Sequence, residues 1–157
     1  MARFYAPVRF KADHLLEFRP TRHTHEWEVT FVFKGPIADN GVIINLLDVK
    51  KALDPLVQKL EGTFLNDHPE ILAAPEPICA AARVPTCENL ARYFYWYLVA
   101  GDHELEFPEH VTLEQVHVQL EELGRPANGE RGYAIVDVTD FLPELLRRRH
   151  LQVARLG

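Results

Sequence analysis

The 157-residue chain is poor in sulfur, has no excess of positive charge and has no long apolar run. Its two cysteines, Cys79 and Cys87, lack CxxC spacing, so free thiols are expected and not a disulfide scaffold. No apolar stretch approaches the roughly 18 residues a membrane helix needs. The start, MARFYAPVRF, has no uninterrupted apolar core of the secretory type. A cytoplasmic protein without a membrane partner is the expectation. Lys plus Arg number 17 against 23 Asp plus Glu, a formal charge of −6, which argues against a nucleic-acid partner. There is no Ser/Gly-rich tract and no repeat of solenoid length.

What is present suits one globular domain with a sizeable core: 47% apolar and 25% charged residues. Residues 2–17 favour an extended chain, with Phe4, Val8 and Phe10 at even spacing. HEWEVTFVFK (25–34) alternates more cleanly, Trp27, Val29, Phe31 and Phe33 on one face and Glu26, Glu28 and Thr30 on the other. Pro20, Thr21 and Arg22 in the break suggest a hairpin connection there. GPIADNG (35–41) is dense in turn residues. Asn45 can then cap a helix whose apolar face is Leu46, Val49, Leu53, Leu56 and Leu60, with Asp48 in its first turn. Pro55 interrupts that pattern, so Asp54-Pro55 could instead open a second short helix.

Residues 66–85 read as a long loop with about one helical turn. Thr86 caps a helix of about four turns, striped by Leu90, Ala91, Phe94 and Leu98 and ended by Gly101. Residues 113–122 (Leu113, Val118, Leu120) and GYAIVDV (132–138) read as two more strands. Residues 139–157 form a separate amphipathic tail with a basic RRRH patch, read as a solvated face. The order strand, strand, helix, helix, strand, strand over 1–138 gives an α+β fold: an antiparallel four-stranded sheet with helices on one face. Open sheet edges call for partners, so a homo-oligomer is expected.

Eight histidines stand out. His23 and His25, at i and i+2 of a strand, share a face about 7 Å apart. Such a pair alone is more often an ordinary core or surface pair. His14, brought beside it by the hairpin, makes a three-imidazole site available, and zinc accepts that donor set with a fourth position left open. His68, His103, His110, His117 and His150 have no such arrangement and read as surface or loop residues.

Six blocks carry a resemblance: FKADH (10–14), HTHEWEV (23–29), NGVIINLLDVKK (40–51), LEGTFLN (60–66), PTCENLA (85–91) and VQLEE (118–122). In this order they resemble the 6-pyruvoyltetrahydropterin synthase family, which includes the 6-carboxytetrahydropterin synthases of queuosine biosynthesis. The resemblance implies the tunnelling fold (T-fold), assembled as trimers or hexamers, and a zinc-dependent lyase acting on 7,8-dihydroneopterin triphosphate or a related pterin, by triphosphate elimination or side-chain cleavage. It implies His14, His23 and His25 as the zinc ligands, with Thr24 where the family usually has glycine. It implies Thr86 and Glu122 as pterin contacts. One carboxylate can accept a pterin's adjacent amino and ring N–H groups, and Glu122 shares a face with Val118 and Leu120 where Glu121 does not. Glu88 and Asn89 serve equally well as helix-start residues.

The catalytic residues of the family match poorly. No cysteine lies between His14 and His23, and the block that carries a histidine supported by an aspartate has Gly62 and Glu61 at those places. Glu17 is the replacement base the resemblance favours, since some members carry glutamate for the cysteine and cleave the side chain to a hydroxymethyl product; burial would suit it to the role. Asp67, His68 and Cys87 are lesser candidates, the last through a thiol pKa lowered at a helix start. The alternative is a non-catalytic, zinc-containing homologue that binds a pterin or purine.

Overall fold

The computed structural model describes residues 1–17, 19–73, 84–122 and 132–137. Two long strands, β1 (Ala2–Leu16) and β2 (Arg19–Gly35), lead into helix α1 (Leu46–Leu60). A 3₁₀ turn (Leu65–Asp67) and a short helix α2 (Pro69–Ala73) follow. Helix α3 (Cys87–Ala100) then precedes strands β3 (Thr112–Glu122) and β4 (Gly132–Asp137). The sheet order is β1-β2-β3-β4, antiparallel throughout. This is the α+β order read from the sequence. The tail 139–157, its basic patch and the proposed boundary after residue 138 lie outside the described residues, as do Cys79 and His150.

Alternation explains the two faces. Ala6, Phe10, Ala12 and His14 of β1 and Trp27, Val29, Phe31 and Phe33 of β2 are buried under the helices. The opposite face carries Arg9 paired with Glu28 across the strands at 2.6 Å, and the exposed Tyr5 and Ile135. A register irregularity between Val32 and Phe33 puts Gln115 and Leu113 opposite successive residues. That bulge shifts the parity of β3, so Leu113, Val116 and Val118 are all buried. It also leaves Glu114 to take Arg3 Nε at 2.7 Å.

The hairpin differs from expectation. Leu16 stands opposite Arg19, so the strands connect between these two residues, and β2 begins before Pro20. Proline is tolerated there because, among the described residues, β3 pairs with β2 only from His25 onward, so no described neighbour asks Pro20 for a ladder bond on that side. Helix α1 also runs unbroken through Pro55. Val49, Ala52, Leu53, Leu56 and Leu60 are buried on both sides of it, while Lys51 and Pro55 face solvent. Water can take the carbonyl that the proline leaves unbonded, and burial of the stripe offsets the lost hydrogen bond. Asn45 Oδ1 caps α1 by accepting Leu47 N–H at 2.9 Å.

Thr86 caps α3, its hydroxyl accepting Asn89 N–H at 3.1 Å, and Gly101 ends it. Cys87 opens this helix but packs inward, and burial pushes its thiol up to about 12. The depression that a helix start can give is absent because desolvation of the thiolate outweighs the helix dipole.

Two outcomes follow from the packing. Leu53→Ala lowers unfolding free energy by about 2–5 kcal/mol in urea titration; a loss under about 1 kcal/mol would contradict this core. In peptide-resolved alkylation at neutral pH, Cys87 stays unmodified in the folded protein and reacts on unfolding; rapid native labelling would contradict its burial.

Candidate metal centre

The β1–β2 register sets His14 directly opposite His23, and His25 two residues further on the same face. The ring centroids lie 4.4 Å (His14–His23), 4.8 Å (His14–His25) and 4.6 Å (His23–His25) apart. Trp27 forms the floor, 5.0 Å from His14 and 5.5 Å from His25, and its Nε1–H is anchored on Ala12 O at 3.1 Å. His14 and His25 are each 1% exposed.

Each ring has its Nδ1 against a main-chain carbonyl: His14 on Pro85 O at 2.8 Å, His23 on Thr21 O at 2.6 Å and His25 on Glu121 O at 3.3 Å. Donation from Nδ1 fixes the tautomer that leaves Nε2 as a lone-pair donor, the outer-shell arrangement of metal-binding histidines. One ligand nitrogen from each ring lies within 4.8 Å of the others. Among the described residues, His14 Nε2 is fully buried with no hydrogen-bond partner. A buried, orphaned acceptor is costly, and a cation among the three rings would satisfy it. Binding at about 2.0–2.1 Å brings any two ligand nitrogens within about 4.2 Å, so the rings would close slightly. Burial holds the His14 pKa below the ordinary histidine value, which keeps the ring neutral, as a ligand must be.

The other candidates occupy the same neighbourhood to different degrees. Thr86 follows Pro85, whose carbonyl receives His14, so the start of α3 abuts the cluster. Glu122 stands opposite His25 in the β2–β3 register. Glu17 lies in the hairpin turn, exposed; the described part of this chain does not supply the burial that would suit it as a base. Cys87 is buried and its thiol is pushed up to about 12, the opposite of the activation a thiolate base needs. Asp67 is exposed, and His68 bonds Thr63 Oγ1 at 2.9 Å. Glu88 is exposed in the first turn of α3, and Asn89 Nδ2 donates to Val84 O at 2.7 Å. His103 is more than a loop residue: its Nε2 lies 2.9 Å from both Tyr97 O and Leu98 O at the end of α3.

The 60–66 block serves as edge cover. Gly62 N–H bonds Lys11 O at 2.7 Å, Asp13 N–H bonds Thr63 O at 2.9 Å, and Glu61 accepts Lys11 N–H at 2.8 Å. Asn66 completes the pairing with both Leu15 backbone groups, at 3.0 and 3.1 Å. Gly62 has φ +71, so a histidine there would cost about 1–2 kcal/mol in backbone strain. The carbonyls that orient the rings and the side-chain mimicry of a strand by Glu61 and Asn66 left no signal in the sequence, because the first are main-chain groups and the second depends on tertiary position.

The family profile described as 6-pyruvoyl tetrahydropterin synthase matches residues 4–125. A protein of Archaeoglobus fulgidus, provisionally named a 6-carboxy-5,6,7,8-tetrahydropterin synthase, is 32% identical over 57 residues, 36% of this chain and 49% of that one. The chain thus spans about half the length of the curated relative it matches. Among solved structures, a variant of Plasmodium vivax 6-pyruvoyltetrahydropterin synthase with a catalytic glutamate replaced by alanine has a TM-score of 0.55 at 15% identity, covering 87% of this chain and 98% of that one. The Caenorhabditis elegans 6-pyruvoyl tetrahydropterin synthase also has a TM-score of 0.55, at 19% identity and 87% and 94% coverage. At these identities the structural likeness speaks for the fold alone, which is the T-fold of those enzymes. The profile match covers most of the sequence, and the chain belongs to the 6-pyruvoyl tetrahydropterin synthase family.

Proposed function

We propose that this protein is a zinc-dependent pterin lyase acting on 7,8-dihydroneopterin triphosphate or a close relative, by triphosphate elimination or side-chain cleavage. The observation that carries the reading is the set of three imidazoles, each with Nδ1 on a carbonyl, around the orphaned His14 Nε2. Histidine nitrogens suit zinc, and zinc polarises a substrate side-chain oxygen so that the neighbouring C–H becomes acidic. His14, His23 and His25 hold the ion. Thr86 and Glu122 bind the pterin ring, the carboxylate accepting its paired N–H groups. Glu17 takes the proton, as the resemblance implies for members with glutamate in place of the cysteine; the Plasmodium vivax enzyme likewise has a glutamate named as a catalytic residue. The active form is a cytoplasmic homo-oligomer, a trimer or a hexamer, and a neighbouring copy would supply the burial that Glu17 lacks here. Queuosine biosynthesis is the setting that the resemblance to the 6-carboxytetrahydropterin synthases implies.

A second reading, a zinc-containing pterin- or purine-binding homologue without catalysis, is favoured by one specific feature. Gly62 stands where the family's proton-transfer histidine belongs, in a backbone conformation that disfavours any side chain.

Incubation with zinc and 7,8-dihydroneopterin triphosphate separates the two. The enzyme reading predicts triphosphate release that falls to background in His23→Ala and by about 10²–10⁴-fold in Glu17→Gln. Pterin binding by calorimetry with no turnover above the His23→Ala control would give the second reading instead. Elemental analysis should find about one zinc per chain, lost in His25→Ala.

The lowered His14 pKa also sets a pH dependence for the metal-free protein. As pH falls through about 6.5 the unfolded chain protonates this ring while the folded site resists it. The neutral buried ring therefore contributes stability that is complete above that value and lost below it. The urea midpoint of chelated protein should drop between about pH 7.5 and about pH 5.5, and the drop should shrink in His14→Gln. An identical drop in the variant would contradict the assignment.

A further inference from the structure

The face of the hairpin turned away from the imidazoles carries a second cluster. Asp13 and Thr24 stand opposite each other, one rung from His14 and His23. Thr24 Oγ1 donates to Asp13 Oδ1 at 2.5 Å, and Arg22 Nε donates to Asp13 Oδ2 at 2.7 Å. The Arg22 guanidinium lies 4.5 Å from the centroid of the Phe64 ring. Asp13 also gives its backbone N–H to Thr63 O. One carboxylate thus ties β1 to β2, and Arg22 ties both to the segment that covers the edge of β1.

The backbone needs help at this level. The β1–β2 register becomes irregular between His14 and Leu16, immediately past the His14–His23 rung. On the other side, β3 pairs with β2 only as far as His25. Among the described residues, Arg19, His23 and Thr24 are therefore registered against β1 alone. A strand end at an irregular register is a low-stability place, whereas metal ligands must be held to within about 0.5 Å.

We propose that Asp13, Thr24 and Arg22 form a positioning clamp that holds the hairpin mouth in the geometry where His14, His23 and His25 meet one ion. None of the three shares the face of the ligands, so each acts through the strands. Threonine in place of the family's usual glycine between the two histidines is then the half of the clamp that answers Asp13. The inference rests on the metal reading above.

The test uses Co²⁺ in place of zinc, read by its visible ligand-field bands and by chelator competition, in the full-length protein. Thr24→Val keeps the side-chain shape and strand preference but removes the donor; Asp13→Asn removes the charge; Thr24→Ser restores the donor. The clamp predicts cobalt affinity about 10–100-fold weaker in Thr24→Val and Asp13→Asn, with altered band intensities, and near-native affinity and spectrum in Thr24→Ser. If wild-type protein binds cobalt and all three variants match it in affinity and spectrum, the clamp is overturned and the metal reading stands. If wild-type protein shows no ligand-field bands and no competition, the metal reading itself fails and the clamp with it.

Discussion

The pairing of His14 with His23 across one antiparallel rung is the constraint on which the site depends. It brings together two residues nine apart in sequence, and the two-residue period of β2 adds His25 on the same face. A slip of one residue would put His14 and the His23/His25 pair on opposite sides of the sheet. The register is protected by the core: Phe10, Trp27, Val29 and Phe31 are buried only if the same faces point inward. Packing of the hydrophobic core and assembly of the imidazole cluster are therefore one event.

Main-chain carbonyls supply the next level of organisation. They come from three places: the hairpin arm itself (Thr21), the segment before α3 (Pro85) and β3 (Glu121). Each ring is aimed by a different element, so the cluster reports on the docking of the whole domain. The cap at Thr86 matters here beyond helix stability. It fixes the turn that presents the Pro85 carbonyl to His14, which links a local sequence preference to the protonation state of a distant side chain.

Much of this was legible in the sequence. Alternation marked the faces of β1 and β2, a 3.6-residue period marked α1 and α3, and Asn45, Thr86 and Gly101 marked helix ends through elementary capping chemistry. The failures have physical causes. Pro55 looked like a break because local preference cannot register how firmly the stripe around it is buried. The stretch between Leu16 and Arg19 carries neither glycine nor proline, whereas the nearby Pro20 drew the assignment to itself. The bulge at Glu114 hid the parity of β3. In the site, the histidines were visible as a pattern, but their carbonyl partners and the Asp13–Thr24 contact exist only once the strands are paired.

The departures from the family pattern are coherent in structural terms. Gly62 and Glu61 serve the edge of β1, and Thr24 reaches across to Asp13. The three imidazoles stay together while Gly62 and Glu61 serve the sheet edge, which favours the proposed reading of altered chemistry at a histidine centre. X-ray absorption at the zinc edge of the loaded protein tests this centre most directly. Three imidazole nitrogens at about 2.0–2.1 Å and one further nitrogen or oxygen neighbour are expected. A shell of sulfur near about 2.3 Å, or one with no imidazole scattering, would contradict the account.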